Sequence, residues 1–170
     1  MIRAATAGDA AAIARVQVRG WLHAYSGFVE PRRLAEQTVE RREPVWRELL
    51  RDHAAAGRTW VWDEGGTVAA FAAAGPARDA GAGAQTGELY AIYVDPPAQG
   101  AGVGTAMLRR AEGWLAEAGF VRAVLWTFEA NAQARAFYER FGWRLDEAAP
   151  PAPAEWWAPA VRYRRELVAP

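Results

Sequence analysis

The stretch VDPPAQGAGVGTAML, residues 94–108, closes an apolar run with two prolines. It then spaces Gly100, Gly102 and Gly104 at alternate positions and turns helical. A helix start leaves backbone N–H groups unpaired and carries partial positive charge. Glycines let neighbouring N–H groups point into one concavity with no Cβ in the way. The ligand such a cup favours is an anion, most naturally a phosphate or diphosphate. Two familiar phosphate loops do not fit. A Walker loop needs a lysine, and all 20 basic residues here are arginine. A dinucleotide fingerprint, Gly-x-Gly-x-x-Gly/Ala, would put Thr105 or Met107 in its last position. The spacing present is Gln99-x-x-Gly102-x-Gly104. Taken alone, it also suits a tight strand-to-helix connection.

Other chemistries are narrowed by composition. The chain has no cysteine, which excludes disulfides, thiolate ligands and a cysteine nucleophile. Imidazole can come only from His23 and His53, so no metal site is expected. Both histidines read as surface or packing residues, with His23 placed where it could face a bound substrate. A formal net charge of zero gives no field that would draw nucleic acid or an acidic membrane.

These residues need a scaffold. Residues 1–6 suit a short strand and residues 8–25 a helix, with Asp9 as its N-cap. A second helix spans 31–54, opened by Pro31 and kinked or interrupted at Pro44. Its alternating arginines and glutamates read as a solvated face. Residues 58–75 form two strands about a turn at Asp63-Glu64-Gly65-Gly66. Residues 77–87 are a mobile small-residue loop, and 88–96 are a strand ended by Pro96 and Pro97. A helix with a Met107, Leu108, Ala111, Trp114, Leu115, Ala118 stripe follows and stops at Gly119. Residues 120–128 form a nearly continuous apolar strand, hence a central one. Asn131 caps a short helix that ends at Gly142, and two strands close the chain. The expected fold is α/β, a mixed sheet with helices on both faces, and 170 residues most simply make one domain, 1–170.

The segment LYAIYVDPPAQGAGVGTAMLRRAEGWLAEAG resembles the acyl-CoA-binding core of the GNAT superfamily of N-acetyltransferases. The later NAQARAFYERFGW resembles that family's Asn-x-x-Ala-x-x-Phe/Leu-Tyr-x-x-x-Gly-Phe segment. Asn131, Ala134, Phe137, Tyr138 and Gly142 stand in the matching places, and Trp143 replaces the usual phenylalanine. The order of elements fits from about Arg58 to the C-terminus, and the N-terminal strand and two helices fit as well.

The resemblance implies a single GNAT domain with a mostly antiparallel sheet and splayed central strands. Acetyl-CoA would be the cosubstrate, with no metal. Its diphosphate would sit on residues 99–105: Gln99, Gly100, Ala101, Gly102, Val103, Gly104 and Thr105. Its pantetheine arm would run beside Ile92, Tyr93 and Val94, bonded by backbone groups of Ile92 and Val94. Asn131 would cap its helix, reach that arm, or do both. Tyr138 matches the family tyrosine that protonates the leaving sulfur; its other reading is an aromatic on the packed face of its helix. Glu88 stands where a glutamate often acts as general base; its other reading is a solvated strand end. Tyr90 could order a water in its place.

The implied reaction is direct transfer of acetyl from sulfur to a primary amine, which needs no cysteine. The family builds its acceptor site from the first two helices and a late loop. Here those supply Trp21, Tyr25, Phe28, Trp156 and Trp157, which form an aromatic wall for an amine or else pack the core or a dimer interface. A small-molecule amine is the leading acceptor, with polyamine-type and small amino compounds among the family's substrates. A protein N-terminus or lysine comes second. A catalytically silent acyl-CoA sensor would keep the glycine cup without needing Tyr138 or Glu88. A nicotinamide oxidoreductase fails on the fingerprint. No nucleic-acid or membrane partner is expected, and the resemblance allows a homodimer. Residues 1–16 hold no long apolar run, so a cytoplasmic protein without a signal peptide is expected. The arginine and alanine bias fits a GC-rich bacterial genome.

Overall fold

Seven strands form one open sheet in the order β1-β2-β3-β4-β5-β7-β6. The structure, a computed structural model, describes residues 1–52, 57–152 and 156–167. Along the chain the elements are β1 (Ile2–Ala4), α1 (Ala10–Tyr25), α2 (Pro31–Ala35), α3 (Val39–Asp52), β2 (Arg58–Glu64), β3 (Thr67–Pro76), β4 (Thr86–Val94), α4 (Val103–Glu117), β5 (Arg122–Phe128), α5 (Ala132–Arg140), β6 (Arg144–Leu145) and β7 (Ala160–Glu166). Every pairing is antiparallel except β4 with β5. The mixed, mostly antiparallel sheet with helices on both faces is therefore as expected.

Strand parity decides which helix covers which face. Ala70, Ala72 and Ala74 of β3 turn toward α4, where Met107, Leu108, Ala111 and Leu115 bury the apolar stripe. These side chains are under 2% exposed, so truncating any of the three larger ones would cost about 2–5 kcal/mol. Phe71 and Ala73 face the other way, onto Ile13, Ala14 and Val16 of α1 and Trp46 of α3. A third cluster joins Trp21, Tyr25, Val29, Leu34 and Phe128, with Phe28, Trp156 and Trp157 packed on it.

β4 carries a bulge. Ala73 pairs with Ala91 but Ala74 pairs with Leu89, so Tyr90 is an extra residue. Tyr90 and Ala91 consequently pack on the α1 side, while Leu89 and Ile92 pack on the α4 side. β4 then parts from β5. The parallel ladder joins only Thr86 to Arg122, Gly87 to Ala123 and Glu88 to Val124. Beyond Glu88 no strand among the described residues pairs with this edge of β4, which is the splay that the resemblance implied.

Asp9 stands at the N-cap position of α1, as expected, but its side chain makes no cap bond to that helix. Its carboxylate accepts from the Thr6 backbone N–H at 2.8 Å and the Thr6 hydroxyl at 2.9 Å, as the acidic half of a capping box, and it pairs with Arg3. The helix expected over 31–54 breaks at 36–38 rather than at Pro44, which α3 accommodates. Thr38 starts α3 by accepting the Arg42 N–H on its carbonyl, a stop-and-start signal that its neighbours hid. The loop before β4 is tied to the sheet near its start: Arg78 pairs with Glu88, and Asp79 pairs with Arg162.

Candidate active site

Splaying opens a cleft of about 770 Å³. Its walls come from the end of α1, from residues 89–94 of β4, from the start of α4, from Trp126 and Thr127 of β5, from α5 and from Trp156.

One end of the cleft is the glycine cup. Gly100 and Gly102 both hold φ of 81°, a left-handed conformation that side chains disfavour, and Gly102 is the N-cap of α4. The first α4 N–H to find an acceptor is that of Ala106, on the Gly102 carbonyl at 3.1 Å. Those of residues 100–105 have none among the described residues. Gly104 differs from Gly100 and Gly102 in having no left-handed φ, and the protein leaves room for a side chain there. A Cβ there would lie 3.6 Å from Val94 Cγ2 and 3.7 Å from Phe137 Cζ, ordinary contact distances. Backbone donors aimed at a space with no side chain over it suit a diphosphate.

The middle of the cleft is the free edge of β4. The Asp95 N–H donates to the Ala69 carbonyl at 2.8 Å, so alternate residues from there turn toward β3. By that alternation Ile92 and Val94 present their backbone groups to the cleft. Gln99 Nε2 donates to the Val94 carbonyl at 3.1 Å and so links the edge to the cup. Asn131, which also lines the cleft, caps α5: its Oδ1 accepts the Ala134 N–H at 3.1 Å. Tyr138, one helical face further on, is 8% exposed. Its hydroxyl makes no hydrogen bond to any described residue, and burial pushes it above the ordinary tyrosine pKa, with Tyr93 adding to the effect.

A family model for the Acetyltransferase (GNAT) family matches residues 21–143. The chain belongs to the GNAT family of acetyltransferases. YuaI, an uncharacterized N-acetyltransferase of Bacillus subtilis (strain 168), is 32% identical over 130 residues, covering 76% of this chain and 72% of its own length. In fold the chain resembles the PaiA N-acetyltransferase of Thermoplasma acidophilum, solved in complex with coenzyme A. The TM-score is 0.79 at 16% identity, over 98% of both chains. It also resembles yncA of Salmonella typhimurium, solved with its cofactor acetyl-CoA. There the TM-score is 0.72 at 21% identity, over 99% of this chain and 94% of that one.

The far end of this GNAT cleft is aromatic. Tyr25, Tyr90, Tyr93, Trp126 and Trp156 line it, together with exposed His23. Trp21, Phe28 and Trp157 stand behind them. Trp21 meets Trp157 edge to face at 5.0 Å, and Phe28 meets Phe128 at 5.5 Å. The candidate wall is thus two layers, with Tyr25 and Trp156 in front. Tyr93 knits it to β4: its hydroxyl accepts the Trp21 indole N–H at 2.7 Å and pairs with the Tyr25 hydroxyl at 2.8 Å. Its ring crosses α1 at Gly20, where a Cβ would come within 2.8 Å of it. Burial raises both tyrosines above the ordinary pKa.

Glu88 lies off the cleft wall. It is 2% exposed, and both oxygens accept from Arg78: the Arg78 backbone N–H at 2.9 Å and the guanidinium Nη2 at 2.5 Å. That guanidinium stacks over Tyr90 at 4.4 Å. Tyr90, which does line the cleft, donates its hydroxyl proton to the Pro76 carbonyl at 2.6 Å, and burial pushes its pKa to about 12. Sequence reasoning missed Arg78, because only the fold brings the loop over β4. It also passed over Arg140, although the spacing of Gln133, Ala136, Phe137 and Arg140 on one helical stripe could have shown it. His53 lies outside the described residues. Among the described residues no cluster of His, Cys, Asp or Glu is placed to hold a metal ion, and no helix is long and apolar enough to cross a membrane.

Proposed function

We propose that this GNAT acetyltransferase transfers acetyl from the sulfur of acetyl-CoA directly to a primary amine of a small molecule. The observation that carries the reading is one cleft holding an N–H cup, an unpaired strand edge and a buried tyrosine whose hydroxyl has no hydrogen-bond partner among the described residues. Residues 99–105 hold the diphosphate. Ile92 and Val94 bond the amides of the pantetheine arm as a neighbouring strand would, with Tyr93 between them fixing the strand to α1. The Asn131 amide reaches the same arm while its oxygen caps α5.

Tyr138 acts at the leaving sulfur. A thiol has a pKa of about 8.5, so Tyr138, held above the usual 10, stays protonated and donates to the sulfur as negative charge develops there. An alkyl ammonium has a pKa of about 10.4 and must lose a proton before it attacks. Glu88 is our assigned base, acting through a water that Tyr90's oxygen helps to hold. In that role it must share its carboxylate with Arg78.

Rings from α1, β4, β5 and the loop before β7 converge on the acceptor end, which favours a compact, partly apolar amine over an extended polypeptide. The test is release of the coenzyme A thiol across a panel of amines and peptides. The chain has no cysteine to add background. Turnover concentrated on small amines supports the reading. Preference for peptide N-termini or lysines makes this a protein acetyltransferase, and tight donor binding with no turnover makes it a sensor.

A further inference from the structure

Arg140 is the one arginine among the described residues that line the cleft. It ends the α5 stripe that begins at Gln133, and it is exposed. No carboxylate pairs with it among the described residues. It is held instead by two aromatic faces, 5.8 Å from the Phe137 ring centroid and 5.1 Å from that of Phe141. Phe137 also fixes its place relative to the cup, since Cζ of that ring lies beside Gly104. The guanidinium therefore sits on the same wall as the cup, separated from it by a phenyl ring.

Two anion-binding elements on one wall with a phenyl ring between them suit a ligand with two separate phosphate centres. Coenzyme A has them: a diphosphate, and a 3′-phosphate on the ribose. We propose that Arg140 reads the 3′-phosphate and sets the preference for coenzyme A over its 3′-dephosphorylated form. The assignment rests on the cup holding the diphosphate, as argued above. The cup has backbone donors of its own, so the more distant phosphate is the one left for a side chain. Arg140 suits it because its planar fork can bond two phosphate oxygens while stacked on rings.

Calorimetry with coenzyme A and with 3′-dephospho-coenzyme A tests this on the full chain. The unaltered protein should prefer coenzyme A by about 10- to 100-fold, the range for a charge-assisted contact. Arg140→Gln should weaken coenzyme A by that factor and leave the dephospho form unchanged, and Arg140→Lys should keep part of the preference. Equal affinity of the unaltered protein for both ligands, or an equal loss for both in Arg140→Gln, overturns the assignment while leaving the cup intact. Binding of neither ligand overturns the cup as well.

Discussion

Gly104→Glu separates ligand binding from folding. Gly104 is the second residue of α4, and a Cβ there meets Val94 and Phe137 at ordinary contact distances. Replacing glycine within a helix gains about 0.5 kcal/mol of propensity. A carboxylate in a helix's first turn adds about 0.3–1 kcal/mol. The ligand-free variant should thus be about 1 kcal/mol more stable, with a melting temperature raised by roughly 2–4 °C for a chain this long. Donor binding should move the opposite way. The new carboxylate takes the N–H groups of the cup and repels a diphosphate. Losing two charge-assisted hydrogen bonds, about 3 kcal/mol or more, weakens acetyl-CoA at least on the order of 100-fold. Calorimetric titration with acetyl-CoA and a thermal melt without it read the two effects. Unchanged affinity would show that the cup holds nothing. Lost affinity with a lowered melting temperature would show that the substitution had damaged the fold, and the reasoning about free space at Gly104 would fail.

Tyr138→Phe should lower turnover by about 10²- to 10³-fold while donor affinity stays within about twofold, because its hydroxyl supports no other described residue; an unaltered kcat removes it from the chemistry. The unaltered enzyme should show no alkaline loss from this group below about pH 10, since burial moves it upward. Glu88→Gln should abolish the acidic limb of the pH–rate profile and, by breaking a buried pair with a largely exposed arginine, cost about 1–2 kcal/mol of stability; an acidic limb that stays in place puts the base elsewhere. Asp9 is held at a pKa of about 2 by Arg3, with Thr6 assisting. Its contribution is full above the unfolded carboxylate range near 3.8 and is lost as pH falls toward 2. Arg3 is 36% exposed, so about 1 kcal/mol is expected after solvent screening. Urea titrations of Asp9→Asn and the unaltered chain should differ at pH 5 and converge near pH 2.

The cup was readable because its requirement is local: φ of 81° at Gly102 and bare backbone at the start of α4 follow from a few consecutive residues. The Asn131 cap was readable for the same reason. Whatever depends on distant partners was hidden. Nothing near Glu88 in sequence indicates that Arg78 will fold over it, or that Arg162 will tie Asp79 to Asp146. The break at 36–38 lost to Pro44 because proline is the louder signal, although α3 carries Pro44 inside it as its sixth residue. The aromatic residues were recognised as a group, but their division into front and back layers depends on how Tyr93 crosses α1 at Gly20.

Only three residue pairs stitch β4 to β5. The sheet is accordingly two leaves, β1 to β4 and β5 to β7, sharing a short spine. On the proposed donor site, a peptide-like arm lodged along the open margin would supply the missing rungs and brace one leaf against the other. The acceptor end of the cleft draws Tyr90 from the first leaf and Trp126 from the second, so its width would depend on that brace. Initial-rate kinetics in which the donor binds before the acceptor is the outcome this proposal expects.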